Sequence, residues 1–360
     1  MALGAVLRNP DVRVAMALRL LDVEAAWQAF GERHHEIPDA LWARWRALDT
    51  DILWERAAAT GMRFVIPGDA EWPMALDDLG PMRPWGVWVR GRPLPAAEAR
   101  PVGVVGARSC TSYGERTAGL LGHDLAAAGT VVVSGGAYGI DAASHRGALA
   151  AGGQTIAVLA SGLDVAYPLA HSSLFDRILE CGSLVGEAPP GASPTRQGFL
   201  FRNRLIAALA YGTVVVEARL RSGSLSTLAQ ARRLHRVAMA VPGPVDSAES
   251  AGTNELIRGG ACLVTNAADV LDLVAPMRLR PVPEAPRGEW DALASEERAI
   301  YEALPGRGGA TVDALLQRVQ PPLAVPALLA GLAGLAQRGL VAEQLDGRWR
   351  RLRAPRGAAA

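Results

Sequence analysis

Three stretches of the chain combine residue types that could hold an anion. The first, VGVVGARSCTSYGE, passes from an apolar β-branched run through a glycine turn into a helix start, with Ser112 and Glu115 at capping-box spacing. A helix start of this kind aims unpaired N–H groups at the turn, and the helix dipole favours negative charge there. Arg108 and Ser109 stand in that turn, where a guanidinium would reinforce the attraction. The second stretch, SGGAYGIDAASHRGAL, ends another apolar run with Gly135, Gly136 and Gly139, which let the backbone approach a ligand closely. The third, EARLRSGSLST, sets Arg221 before Ser222, Gly223 and Ser224, whose amides and hydroxyls can donate to an anion.

Charge is distributed unevenly enough to matter. The 360 residues carry a net charge of only +1, yet Arg196 to Arg236 holds eight arginines (196, 202, 204, 219, 221, 232, 233 and 236) against one acid, Glu217. All 37 basic residues are Arg, so every cation brings a planar fork suited to phosphate oxygens and to stacking. In GFLFRNRLIAALAYG, Arg202 and Arg204 are two apart and cannot share a helix face, so at least one is expected free to reach a ligand. Asn203 lies between them, Arg196 precedes them, and Phe199 and Phe201 lie beside them. Arginines next to aromatic rings suit a single-stranded nucleic acid, where charge holds phosphates and a ring stacks on a base. Core phenylalanines under a solvated basic face are the competing reading. Asp141 and His145, four apart on one helix face, could form an acid–base pair, but structural hydrogen bonding is the favoured reading.

Other chemistries find little support. Gly103 and Gly106 lack the third glycine of a dinucleotide fingerprint, and no acid ends the next strand, so no nicotinamide or other cofactor is expected. Cys110, Cys181 and Cys262 are far apart and match neither a disulfide framework nor metal spacing. No apolar run approaches the roughly 20 residues of a membrane span, and the first 20 residues lack the features of a secretory signal, so a cytoplasmic protein without membrane contact is expected.

These stretches need elements to position them. Residues 1–65 read as helices, with apolar residues at helical spacing in RVAMALRLLDVEAAWQAF and DALWARWRALDTDILWERAAATG. A Pro-, Gly- and Trp-rich linker follows, leading to a short strand at Trp85–Arg90, its tryptophans read as packing anchors. Within 66–275, strands are expected at Pro101–Val105, Thr130–Ser134, Thr155–Leu159, Ser183–Gly186, Thr213–Glu217, Val237–Val241 and Ala261–Thr265, alternating with helices. The expected fold is therefore α/β, an extended Rossmann-like doubly wound, mostly parallel sheet. After a linker at 276–288, residues 289–354 read as helices followed by a hairpin around Asp346-Gly347 with a basic outer strand, a winged-helix pattern, and 355–360 form a disordered tail.

Six blocks, VGVVGARSCTSYG, SGGAYGIDAASHRGAL, FLFRNRLIA, EARLRSGSLST, AVPGP and SAGTNELIRGGACLVT, follow the order of the DNA processing protein A (DprA/Smf) family, which this chain resembles. The resemblance implies an extended Rossmann fold that binds single-stranded DNA, dimerises, and loads RecA during transformation or recombination, without catalytic activity. It implies a phosphate-binding role for Arg108, a basic residue and a stacking aromatic at Arg196 and Phe199, and an RNR block at Arg202, Asn203 and Arg204. Single-stranded DNA-binding protein is a further expected partner. The helical start is similar to the family's SAM-like domain and the tail to its DML1-like winged helix, while Leu200, Tyr138 and Trp72 depart from the family pattern.

Two other readings compete. A nucleotide phosphoribohydrolase of the lysine-decarboxylase-like family would share the glycine turns, but its PGGxGTxxE block is absent and Glu217 precedes the turn instead of following it. DNA binding by the tail alone would rest on Arg348, Arg350, Arg351, Arg353 and Arg356. The apolar run ACLVTNAADVLDLV at the end of the sheet is a candidate pairing edge for a dimer.

Overall fold

The computed structural model describes residues 23–32, 37–95, 99–274, 293–305 and 308–352. The helix expected before residue 23, the 276–288 linker, Arg353, Arg356 and the tail lie outside the described residues. The chain divides into two compact units, Met1–Met277 and Arg278–Ala360.

A nine-stranded sheet organises the first unit, in the order β1-β2-β6-β5-β4-β3-β7-β8-β9. Its strands are β1 (Met62–Val65), β2 (Val87–Gly91), β3 (Val102–Val105), β4 (Val132–Ser134), β5 (Thr155–Val158), β6 (Ser183–Gly186), β7 (Gly212–Val215), β8 (Val237–Ala240) and β9 (Cys262–Leu263). Strands β3 to β9 pair in parallel, and β2 joins β6 antiparallel. The chain moves outward from β3 through β4 and β5 to β6, then returns to the far side of β3 for β7, β8 and β9. That reversal places the topological switch between β3 and β7, where ligands of doubly wound sheets bind outside the carboxyl ends of the strands.

Burial on both faces explains why these strands read as unbroken apolar runs. Along β3 and β7, Val104 and Val214 enter the core cluster that holds Leu121, Leu125 and Ile140, whereas Val105 and Val215 enter the opposite cluster with Leu205, Ile206 and Leu228. The covering helices are α4 (Ser112–Ala127), α5 (Ile140–Ala150), α6 (Ser172–Cys181), α7 (Arg196–Leu209), α8 (Gly223–Arg233), α9 (Ala251–Arg258) and α10 (Ala267–Val274). The seven parallel strands lie within two residues of their expected ends. β9 is an exposed edge strand, with Leu263 52% accessible.

One expectation fails ahead of β2. Residues 1–65 were expected to be helical, with a linker after them, but Met62–Val65 is a strand that pairs antiparallel with β2. The Pro- and Trp-rich segment after it packs Trp72, Leu76 and Leu79 into the main core. Its 3₁₀ turns have neither helical nor strand periodicity, so an apolar pattern that serves packing looks like a linker. Before β1 come α1 (Val23–Gly31), α2 (Asp39–Arg46) and α3 (Thr50–Thr60); Phe30 and Leu41 share a small core with Trp27, Trp42, Trp45 and Trp85. Asp49 caps α3 by accepting from the amides of Asp51 and Ile52, and Gly61 ends it in the left-handed region (φ 67°). Arg56 of α3 pairs with Asp164 (2.9 Å) in the loop after β5.

The second unit comprises α11 (Ser295–Ala303), α12 (Val312–Arg318), α13 (Val325–Gln337) and the hairpin β10 (Val341–Glu343) and β11 (Trp349–Arg351). Leu315, Leu328, Leu332 and Leu335 form its own core with Ile300 and Tyr301. The Gln344 amide donates to Arg348 (2.7 Å), leaving Leu345, Asp346 and Gly347 in the turn, with Gly347 at φ 74°. Arg351 of the outer strand does not point away from the unit: its guanidinium covers the Tyr301 ring at 4.6 Å and donates to the Glu302 carbonyl (3.0 Å).

Candidate nucleic-acid interface

At the switch between β3 and β7 a cleft of about 460 Å³ opens. The turn after β3 forms one wall with Arg108 and Ser109, and the turn after β7 forms another with Arg219, Arg221, Ser222, Gly223 and Ser224. Helix α7 supplies Phe199, Arg202 and Asn203. This volume falls within the about 300–1,000 Å³ usual for sites that enclose a ligand, enough for a nucleotide-sized group.

Each wall has a local cause. Helix α4 begins at Thr111, whose hydroxyl accepts from the Gly114 amide (3.2 Å); the expected capping box on Ser112 and Glu115 is therefore one residue out of register. The reason is Glu217, at the end of β7 and 1% exposed, which accepts from both the amide (2.9 Å) and the hydroxyl (2.6 Å) of Thr111. A long-range carboxylate thus fixes which residue caps the helix. Ser222 caps α8 and its hydroxyl meets that of Ser224 (2.7 Å), while the Asn203 amide group donates to the Gly223 carbonyl (3.3 Å), tying α7 to this turn.

The glycine turn after β4 frames the site more than it lines it. Gly139 has φ 73°, and a Cβ there would lie 2.3 Å from the Ala107 carbonyl oxygen, so only glycine lets this turn pack against the Arg108 turn. Gly135 and Gly136 are buried. Asp141 accepts from the amides of Gly135 (3.0 Å) and Ala137 (3.4 Å), and Arg202 donates to the carbonyls of Gly135 (2.8 Å) and Val158. A Cβ on Gly135 would stand 2.5 Å from the Arg202 guanidinium. Burial pushes the Asp141 carboxyl up, an effect the Arg202 charge partly offsets, and burial lowers Arg202 to about 10.

The expectation that at least one arginine of the RNR block reaches free toward a ligand is corrected here. Arg202 and Arg204 are 6% and 5% exposed. Arg202 is spent on backbone carbonyls, and Arg204 pairs with Glu187 (2.6 Å) while covering the Phe201 ring at 4.0 Å. They do leave α7 on different faces, but both faces are buried. Nor do the eight arginines gather at one rim. Arg202, Arg219 and Arg221 line the cleft, Arg232 donates to the Gly259 carbonyl (2.9 Å), and Arg236 pairs with Asp78 (2.5 Å). Arg196 is exposed and lines no part of the cleft.

The solvent-facing cations of the cleft are therefore Arg108, Arg219 and Arg221. Arg108 lies over the Phe199 ring with 4.7 Å between guanidinium carbon and ring centre. Arg219 is bound to Glu249 by Nε (2.8 Å) and Nη2, and this pairing holds the Glu249 carboxyl below its ordinary range. Glu249 also lines the cleft and was not singled out from sequence; thirty residues separate it from Arg219, and its Ser-rich surroundings carry no signal.

Asp141 and His145 do not meet as an acid–base pair. His145 is fully buried, with Nδ1 2.7 Å from the Thr155 hydroxyl. That hydroxyl donates to the Val132 carbonyl (2.8 Å), so the imidazole must donate from Nδ1, leaving Nε2 as a bare acceptor without a partner. Burial lowers His145 to about 3, keeping it neutral. Among the described residues no group of His, Cys, Asp or Glu is arranged to hold a metal ion, and no helix is long and apolar enough to cross a membrane. The phosphoribohydrolase reading is not favoured, because Glu217, the carboxylate just before the RSGSLST turn in the chain, is consumed in holding Thr111.

A doubly wound α/β sheet with arginines and helix starts facing one cleft at its switch point defines a protein of the Rossmann-like class whose cleft is chemically suited to an anion. Within that class, the chain belongs to the DNA recombination-mediator protein A family, whose family model matches residues 63–275. It is 47% identical over 324 residues to a Mycobacterium tuberculosis protein that carries the DprA name, covering 87% of this chain and 82% of that one. It is 36% identical over 285 residues to protein Smf of Escherichia coli, covering 77% and 75%. Among solved structures, DNA processing protein A of Streptococcus pneumoniae superposes with a TM-score of 0.64 at 30% identity, over 75% of this chain and 95% of that one. A Helicobacter pylori DNA processing protein A, described with a single-stranded DNA binding mode, superposes with a TM-score of 0.51 at 27% identity, over 58% and 94%.

Proposed function

We propose that the cleft between β3 and β7 binds single-stranded DNA, and that the protein acts as a non-catalytic mediator that protects such DNA and loads RecA onto it. The observation that carries this reading is Arg108 stacked on Phe199 at the mouth of a cleft whose other wall offers Arg221 and the start of α8. The guanidiniums and helix-start amides suit phosphates, and the ring suits a base. Ser109, Ser222, Gly223 and Ser224 act as donors; Arg202, Asn203, Gly135, Gly136 and Gly139 act by holding the walls in place. Arg196, exposed and away from the cleft, contributes only along an extended path of the strand, whereas Arg204, buried against Glu187 and Phe201, holds α7 in place.

The same reading makes the helices before β1 a SAM-like domain and residues 289–354 a winged helix, with the protein working as a cytoplasmic homodimer that pairs near β9 and meets RecA and single-stranded DNA-binding protein. The likeness to the Helicobacter pylori protein supports the DNA ligand, and the exposed edge at Cys262–Leu263 supports the dimer surface. Titration of the full chain with fluorescent oligo(dT) tests the central point. The affinity should fall with salt with a log–log slope of about 0.7 per phosphate neutralised, and Arg108→Ala should weaken binding with the fold intact. Equal binding by wild type and an Arg108→Ala, Arg221→Ala double variant would refute the cleft as the site.

A further inference from the structure

Two half-exposed tyrosines stand just outside the cleft on its β4 and β5 side. Tyr167 is 44% exposed and leans on Phe199, with ring centres 5.5 Å apart and planes at 44°. Phe199 is the ring that Arg108 covers, so Tyr167 lies one ring step outward from the cleft wall. Tyr138 is 47% exposed and follows Ala137, which lines the cleft. Its ring meets His171 edge-on at 4.7 Å. His171 is itself buried, donates from Nδ1 to the Gly136 carbonyl (3.0 Å), and is backed by Phe175 at 6.2 Å.

From this geometry we infer that Tyr138 and Tyr167 form a stacking ledge for bases of the strand where it leaves the cleft. The inference rests on the reading of the cleft as a single-stranded DNA site. Each ring is fixed on one side by a buried or cleft-lining aromatic neighbour and remains about half open to solvent. A ring held in place loses little conformational freedom when a base stacks on it, which is what a sequence-tolerant platform requires. The occupant is DNA and not a protein because the ledge continues the Arg108–Phe199 stack, and a strand with phosphates at Arg108 presents bases to the next ring.

The test uses the full chain with Tyr138→Leu and Tyr167→Leu combined, which keeps apolar bulk and removes the aromatic faces, and Arg221→Ala as comparator. Fluorescence anisotropy with oligo(dT) of graded length should show the tyrosine variant binding long strands roughly tenfold more weakly, with an unchanged salt slope and no loss on the shortest strand that still binds. Wild-type protein should show a similar loss when the outer bases of a long strand are replaced by abasic sites, a measurement that does not depend on how the variant folds. If abasic and base-bearing strands bind wild type equally, or the tyrosine variant matches wild type at every length, the ledge is refuted. In that case weakened binding by Arg221→Ala would leave the cleft standing, and unweakened binding would remove both.

Discussion

The buried neutral histidine makes stability depend on pH in a way that can be worked through. His145 sits at about 3 in the folded chain, against 6.5 for an exposed histidine, with burial the largest cause and the charges of His171, Arg202 and Arg146 adding to it. An unfolded chain therefore binds a proton near pH 6.5 that the folded chain refuses until about pH 3. The contribution to stability is fully present above pH 6.5 and is lost as pH falls toward the folded value. Each unit is worth about 1.4 kcal/mol, so about 2 kcal/mol is lost by about pH 5 and about 5 kcal/mol over the whole window, as an order of magnitude. Asp141, shifted up by burial, works in the opposite direction, so the comparison should be made against a variant that shares it. Hydrogen exchange of the slowest amides of β4 and β5 gives the opening free energy within the sheet itself. Between about pH 7 and about pH 5, wild-type protection, corrected for intrinsic rate, should fall about 30-fold, while His145→Gln should stay nearly flat. Parallel pH profiles for the two proteins would refute the neutral state assigned to His145.

Three further outcomes follow from contacts around the cleft. Glu249→Gln should release Arg219 toward phosphate, raising oligo(dT) affinity at low salt and steepening the salt slope by about 0.7; an unchanged slope would show that Arg219 never reaches the strand. Gly114→Ala should destabilise the first unit by about 1–3 kcal/mol in urea melts, because its Cβ would lie 2.2 Å from the Glu217 carboxylate. Gly223→Ala, with nothing within 4 Å, should stay within about 0.5 kcal/mol, and equal effects of the two would undo the packing argument. Arg202→Met should cost about 3–5 kcal/mol by stranding Asp141 and the Gly135 and Val158 carbonyls, read as a lowered unfolding midpoint; a stability like wild type would mean the buried charge is dispensable.

Much was legible in the sequence because it is written locally. Valine runs buried on both faces announce parallel strands, so β3, β4, β5, β6, β7, β8 and β9 fall within two residues of their expected places. The turns at Arg108 and Ser222 were recognisable because a strand, a glycine and a helix start occur within a dozen residues. The strand at Met62–Val65 was not, since its pairing with β2 is set by a partner more than twenty residues away. Neither was the cap at Thr111, which depends on Glu217.

The sequence by itself determined the class of fold, the places of its strands along the chain and the glycine turns that could hold an anion, since periodicity and turn chemistry act between near neighbours. Only the tertiary structure decided which charges face the cleft. Arg202, Arg204, Arg232 and Arg236 find carbonyls or carboxylates supplied by distant segments, and a guanidinium so engaged is not open to a ligand. Arg108 and Arg221 face solvent across the cleft because the order of strands, and no local pattern, brings the turns after β3 and β7 side by side.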